Sequence, residues 1–337
     1  MHTILGEGLD ARAFTDLSTL TPGTLITSNE QFFVRTTCPP RARETGSWSI
    51  AITGSASGPR AIAIADLHAR AAPMGTHLIE CAGNARGGRF GLISVARWSG
   101  VRLADLIDLT ASSREPSHVL IAGVDHDAPS VTSAAGASWI FTRQQLLGAG
   151  AFLATGMNGV PLPPDHGAPV RLIVPGWYGC ACIKWVNAIA FVDDRAAATG
   201  QMKEFALRTH QMGVPAHARE YAPATIDLAA MPVRVEKWRL PANGGVAYRI
   251  VGIAWGGDAH TPPLSIRCRP NDPFVSVNGC PPLPSEALKD NWALWTHLWR
   301  PTESGRYQIV VRADDPKIRT RRLDLYFYTR TVRIDDI

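Results

Sequence analysis

The apolar pattern changes character at about residue 222, and that change constrains the fold more than any single residue. Before it, strand-like runs alternate with amphipathic stretches. Residues 48–52 alternate apolar and polar positions as a half-buried strand does, whereas residues 103–107 place apolar side chains at i, i+3 and i+4, which predicts a helix. Residues 118–123 and 170–176 are short apolar runs bounded by breakers, the pattern of buried strands. After residue 222, helical periodicity disappears. Residues 233–238, 248–251, 264–268, 307–312 and 323–328 are short strand-like runs punctuated by Gly, Pro and Asn. A chain of 337 residues suggests about two domains. The expected class is therefore α+β: a mixed α/β domain over residues 1–222, ending in a connection that begins near Asp193, then a β-sandwich over residues 223–337.

Charge and composition exclude several functions. The formal net charge is +5, with arginines plentiful and lysines scarce, which suits recognition of planar or tetrahedral anions. No basic run has the length of a nucleic-acid patch; residues 317–322 come nearest, within strand-like sequence. No stretch approaches the ~20 apolar residues of a bilayer span. The first thirty residues show neither an apolar signal core nor a twin arginine before one, so the expectation is a cytoplasmic chain as it stands, or a periplasmic one if an export leader was removed. The six cysteines are too scattered for a disulfide framework. Cys180-Ala181-Cys182 lacks the spacer of a zinc half-site and reads as ordinary reduced thiols; pairing of Cys268 with Cys280 stays open.

Cys81 is the residue with most chemical promise. It ends the apolar run Leu78-Ile79-Glu80 and opens a turn containing Gly83, Asn84, Gly87 and Gly88, residue types that allow positive φ or close backbone approach. A strand that stops at a thiol and turns presents sulfur at a sheet edge. Arg86 and Arg89 follow, and nearby cations favour the thiolate that binds metals or attacks carbon. By itself the segment is also compatible with a buried core cysteine.

Other segments narrow the choice. Cys81-Ala82-Gly83-Asn84 with Arg86 resembles the molybdenum-ligand loop of the sulfite oxidase family. Phe32-Phe33-Val34-Arg35 resembles that family's N-terminal Phe-x-x-Arg segment, and Ala96-Arg97-Trp98-Ser99-Gly100 its Ala-Arg-Trp-x-Gly helix entry. Met157-Asn158-Gly159-Val160-Pro161, running through His166, Arg171 and Lys184-Trp185, is the longest similarity. Ala254-Trp255-Gly256-Gly257 and Trp292-Ala293-Leu294-Trp295 resemble its C-terminal dimerisation domain.

The resemblance implies an immunoglobulin-like sandwich that builds a homodimer, and Mo-molybdopterin bound by the first domain through one protein thiolate, Cys81, as the sole metal ligand. It implies that Arg35, Arg86 and Trp98 line the substrate pocket. A third arginine falls at Arg321 or Arg322. Phe33, Val34, Arg35, Asp125, His166, Arg171, Cys182, Ile183 and Lys184 fall at cofactor contacts, the last group around the pterin phosphate. The implied reaction is oxygen-atom transfer on a small sulfite-like oxyanion, with electrons leaving to an external carrier such as a cytochrome c, since no Cys-x-x-Cys-His haem motif is present.

Two departures stand out. Arg35-Thr36-Thr37 replaces the family's Arg-Asn-His, and Phe205 occupies the place of an active-site tyrosine unless the register shifts toward Thr209 or His210. Phe205 therefore admits a different small substrate. Two other classes remain at this stage: a hydrolase using Cys81 as nucleophile with His77 or His166 as base, and a non-catalytic two-domain binding protein.

Overall fold

The computed structural model describes residues 4–7, 11–43, 47–55, 57–84, 90–110, 116–124, 137–205, 224–239, 245–257, 264–279, 290–314 and 329–337. They form two compact units. The first comprises Met1–Thr15, Ile26–Asn84 and Gly91–Thr225; the second comprises Asp16–Leu25, Ala85–Phe90 and Ile226–Ile337.

In the first unit, β1 (Arg12–Ala13) pairs with β2 (Val34–Arg35). β3 (Ser49–Thr53) has the burial pattern its alternation predicts, with Ile50 and Ile52 inward. β4 (Arg60–Ala63) and α1 (Ile64–Arg70) lead to β5 (Ala72–Glu80) and β6 (Ile93–Arg102). β7 (His118–Gly123) and β8 (Ser138–Thr142) follow. Thr142 and Gln145 form a reciprocal capping box that starts α2 (Arg143–Gly148). Then come β9 (Phe152–Met157), β10 (Val160–Pro161), β11 (Arg171–Ile173), β12 (Val186–Val192) and α3 (Gly200–Phe205).

Two sheets result, the first mixed and the second wholly antiparallel. One has the order β4-β3-β12-β7-β8, with β12 parallel to β3 and antiparallel to β7. The other has the order β10-β9-β6-β5, with β11 also on β9. Every residue of β9 is buried, which makes it the centre of the second sheet. β5 lies at that sheet's edge and ends one residue before Cys81.

Two expectations need correction. Residues 96–100, expected as a helix entry, lie in β6, paired with β5 on one side and, from Trp98 on, with β9 on the other. A Cβ at Gly100 would stand 2.1 Å from the Leu153 carbonyl oxygen, so only glycine lets the strands approach this closely. The helix predicted over residues 103–107 is a single 3-10 turn, Leu103–Asp105. Asp108 then turns the chain by accepting from the Thr110 N–H, which ends the helical turn.

The second unit holds two antiparallel sheets. β13 (Ala229–Arg239), β14 (Val246–Trp255) and β17 (Trp292–Trp299) form one; β15 (Leu264–Arg267), β16 (Val275–Ser276), β18 (Gly305–Ala313) and β19 (Thr329–Ile334) form the other, in the order β16-β15-β18-β19. Ile250, Ala254 and Trp295 from the first sheet share one core with Ile266, Ile309 and Val311 from the second, which makes the unit a sandwich. A Cβ at Gly252 would meet the Trp295 ring at 2.0 Å, so this glycine makes room for the largest core side chain. Cys268 is a free thiol; Cys280 and residues 315–328, including the strand expected over 323–328, lie outside the described residues. Among the described residues no helix is long and apolar enough to cross a membrane.

Candidate active site

The turn after β5 is built from its backbone outward. Cys81 N–H donates to the Leu92 carbonyl at 2.9 Å, and Asn84 N–H returns to the Cys81 carbonyl at 2.9 Å. Gly83 N–H points at the Cys81 Sγ from 3.4 Å. The thiol is 7% exposed and joins an apolar cluster with Phe32, Phe33, Leu92, Trp98 and Ile173. Phe33, expected at the cofactor, packs here, and its N–H is held by Ser94 Oγ at 3.0 Å. Val34 is buried in β2 opposite Ala13.

Trp98 walls this cluster. Its Nε1 donates to the His77 carbonyl at 3.2 Å, and its ring meets Phe32 edge-on. On it rests Arg171, with the guanidinium carbon 5.9 Å from the ring centroid. Arg171 is buried on β11. Its Nη1 donates to the His166 carbonyl, and its Nε has no hydrogen-bond partner. Burial pushes its pKa down to about 10, and the group remains a cation.

His166 ends a 3-10 turn, Pro164–His166, started by proline and closed by Gly167 at positive φ. Its Nε2–H donates to the Asn29 carbonyl at 3.0 Å, and its ring lies edge-on to Phe32. Burial first, then nearby Lys184 and Arg171, push its pKa down to about 4, so the imidazole is neutral near pH 7.

Lys184 is a strut. Its ammonium donates to the carbonyls of Arg35 (2.9 Å), Thr36 (2.6 Å) and Asp165 (2.9 Å), which ties β2 to the His166 turn. Thr36, at the place of the family Asn, has φ 76°, a conformation that a β-branched residue adopts only under constraint. Lys184 on its carbonyl and Arg35 Nη1 on its hydroxyl supply that constraint.

The loop between β11 and β12 closes the site. The Ile183 carbonyl accepts from Leu172 N–H, and Cys182 Sγ accepts from Val174 N–H. Burial raises the thiols of Cys180 and Cys182, and the neighbouring thiols, Cys81 among them, raise Cys180 further. Gln201 on α3 donates to the Cys180 carbonyl and accepts from Ser138 N–H, which anchors the short helix that carries Phe205.

Arg86, Asp125, Arg321 and Arg322, with Thr209 and His210, lie outside the described residues. The structure adds roles that sequence reading did not assign. Asn84 staples the Cys81 turn, Asp165 accepts from Cys38 N–H at 2.7 Å, and Gln201 braces the Cys180 loop. Asn84 sits inside the motif and was legible as a turn residue; nothing local marks Gln201. The histidines of the hydrolase alternative each spend Nε2 on a carbonyl, His77 on Met74 and His166 on Asn29.

Residues 36–199 match the family described as oxidoreductase molybdopterin binding domain. Those residues are a molybdopterin-binding oxidoreductase domain similar to that of the sulfite oxidases. The molybdopterin domain is also similar to curated proteins. Mitochondrial sulfite oxidase of Macaca fascicularis is 33% identical over 195 residues, 53% of this chain and 35% of that protein. The Mus musculus enzyme is 30% identical over 252 residues, 69% of this chain and 45% of that protein. The matches thus span less than half the length of these relatives. Among solved structures, the sulfane dehydrogenase SoxCD from Paracoccus pantotrophus has the same fold, with a TM-score of 0.67 at 19% identity over 93% of this chain and 78% of that one.

The cofactor of the domain is Mo-molybdopterin. The described residues fit it. A buried guanidinium with an orphaned Nε is a costly arrangement unless an anion meets it, and a pterin ends in a phosphate.

Proposed function

We propose that this chain is a molybdenum oxidoreductase that transfers an oxygen atom on a small, sulfite-like oxyanion and passes the electrons to an external carrier such as a cytochrome c. The observation that carries this reading is the buried, orphaned Arg171 resting on Trp98, in the cluster that also holds the Cys81 sulfur. Bound molybdenum supplies the oxo-transfer and redox chemistry. The chain's residues do the rest. Cys81 provides one soft sulfur ligand and leaves other positions on the metal open. Arg171, with backbone groups around Cys182 and Ile183, holds the cofactor tail. Lys184 and His166 fix the backbone that carries Arg35, and Asp125 adds a hydrogen bond to the pterin.

Arg35 and Arg86 attract and orient the anion through charged, forked donors, and Arg321 or Arg322 completes the positive pocket. Residues 1–222 carry the chemistry; residues 223–337 form an immunoglobulin-like domain that builds the homodimer. Phe205 supports a second reading within the same chemistry. A phenol at this place would donate a hydrogen bond and help move a proton, and a phenyl ring does neither. The substrate is then a reduced-sulfur group or another small molecule that needs no such donor.

Steady-state assays with sulfite and an artificial acceptor test both readings. Arg35→Met should raise KM for the anion about tenfold, the loss of roughly 1.4 kcal/mol from one charge-assisted contact. Phe205→Tyr should raise sulfite turnover. An unchanged KM contradicts the anion pocket, and unchanged turnover in the tyrosine variant favours the second substrate.

A further inference from the structure

We propose that Asn84 is a positioning residue that sets the direction of the Cys81 sulfur, an inference that rests on Cys81 being the molybdenum ligand. Asn84 is 2% exposed, and its single amide head makes three bonds. Oδ1 accepts from the N–H groups of Gly91 (3.0 Å) and Leu92 (2.6 Å). Nδ2 donates to Oε1 of Glu80 at 3.3 Å, a carboxylate only 1% exposed. The backbone completes the figure. Asn84 N–H bonds the Cys81 carbonyl, and Cys81 N–H bonds the Leu92 carbonyl. Glu80, Cys81, Asn84 and Leu92 are therefore closed into one hydrogen-bonded ring, and Gly83 N–H points at the Cys81 Sγ from 3.4 Å.

Only a carboxamide completes this ring. It offers an acceptor and a donor from one planar group. A carboxylate at this position keeps the acceptor and loses the donor, and it sets a second anion against Glu80. Alanine leaves two buried N–H groups unmet, each a desolvated donor without a partner. Glu80 extends the ring to the far side of the site, because its carbonyl accepts from Gly179 N–H at 2.7 Å, one residue before Cys180. The turn that holds the thiol and the loop that carries Cys180 and Cys182 are thus set by the same residues. A ligand sulfur held this way keeps its direction when oxidation and reduction change the metal's demands.

The geometry specifies a donor-swap experiment. In cofactor-free protein, hydrogen exchange at the Gly91 and Leu92 amides should quicken by about 100-fold in Asn84→Ala. In loaded protein, Asn84→Ala and Asn84→Asp should keep the metal but shift the sulfur-to-molybdenum absorption band. Both should lower kcat about tenfold with KM nearly unchanged, because substrate binding is untouched. Adding Glu80→Gln to Asn84→Asp reverses donor and acceptor and should restore both band and kcat to within about threefold of wild type.

Fast-exchanging amides beside a wild-type band and kcat in Asn84→Ala overturn the proposal, as does a double variant no better than Asn84→Asp alone. If Asn84→Ala does not fold, the Asp variant and the swap decide. Cys81→Ser is measured alongside. If it keeps the band, the ligand assignment itself fails; if it loses the band while the Asn84 variants do not shift it, only the role of Asn84 fails.

Discussion

At the scale of single residues, Arg171 separates what serves the fold from what serves the cofactor. A cation buried without a carboxylate among the described residues weakens the protein that holds it. Arg171→Met keeps the length of the side chain and removes the charge. In the cofactor-free chain this substitution should leave the thermal midpoint unchanged or raise it, by an amount equivalent to about 1–3 kcal/mol. In cells that make molybdopterin it should lower cofactor content at least about tenfold. Calorimetry and fluorescence assay of released pterin check the two halves, and a destabilised apo-protein with full cofactor content would contradict both. Sequence marked Arg171, His166, Lys184 and Cys81 because their motifs are local. It did not show that the Lys184 charge is spent on three carbonyls, since Arg35 and Thr36 reach it from almost 150 residues away.

At the scale of elements, the short Pro164–His166 turn carries a pH dependence. His166 titrates at 6.5 when free and at about 4 in the folded chain. The unfolded chain therefore binds the proton first. Stability is full above pH 6.5, falls as pH drops through the interval down to about 4, and loses nothing more from this group below it. The whole interval corresponds to roughly 3 kcal/mol. Thermal unfolding of the cofactor-free chain at pH 7.5 and 4.5 should show most of this loss, and His166→Gln should lose less; an identical slope in the variant would assign the effect elsewhere. Element type was legible where alternation was strong, as in β3, and where a short apolar run was bounded by breakers, as in β7. It was misread at residues 96–100, where β9 recruits β6 as a central strand, and at residues 103–107, where the helical spacing yields a single 3-10 turn.

At the scale of the whole molecule, the change of periodicity near residue 222 was visible because sandwich strands and mixed α/β segments bury different faces. The two early segments that join the second unit, Asp16–Leu25 and Ala85–Phe90, were not, because contacts across the chain decide membership and periodicity does not. The proposed homodimer predicts twice the chain mass by light scattering at micromolar concentration, and a stable monomer would contradict it.

The central claim is that Cys81 gives molybdenum its one protein ligand. X-ray absorption at the molybdenum edge tests it most directly. The wild-type protein should show the two dithiolene sulfurs plus one more, and Cys81→Ser should lose that one sulfur while the pterin stays bound. An unchanged sulfur count in Cys81→Ser, or no molybdenum in the wild-type protein made with ample cofactor, would contradict the account.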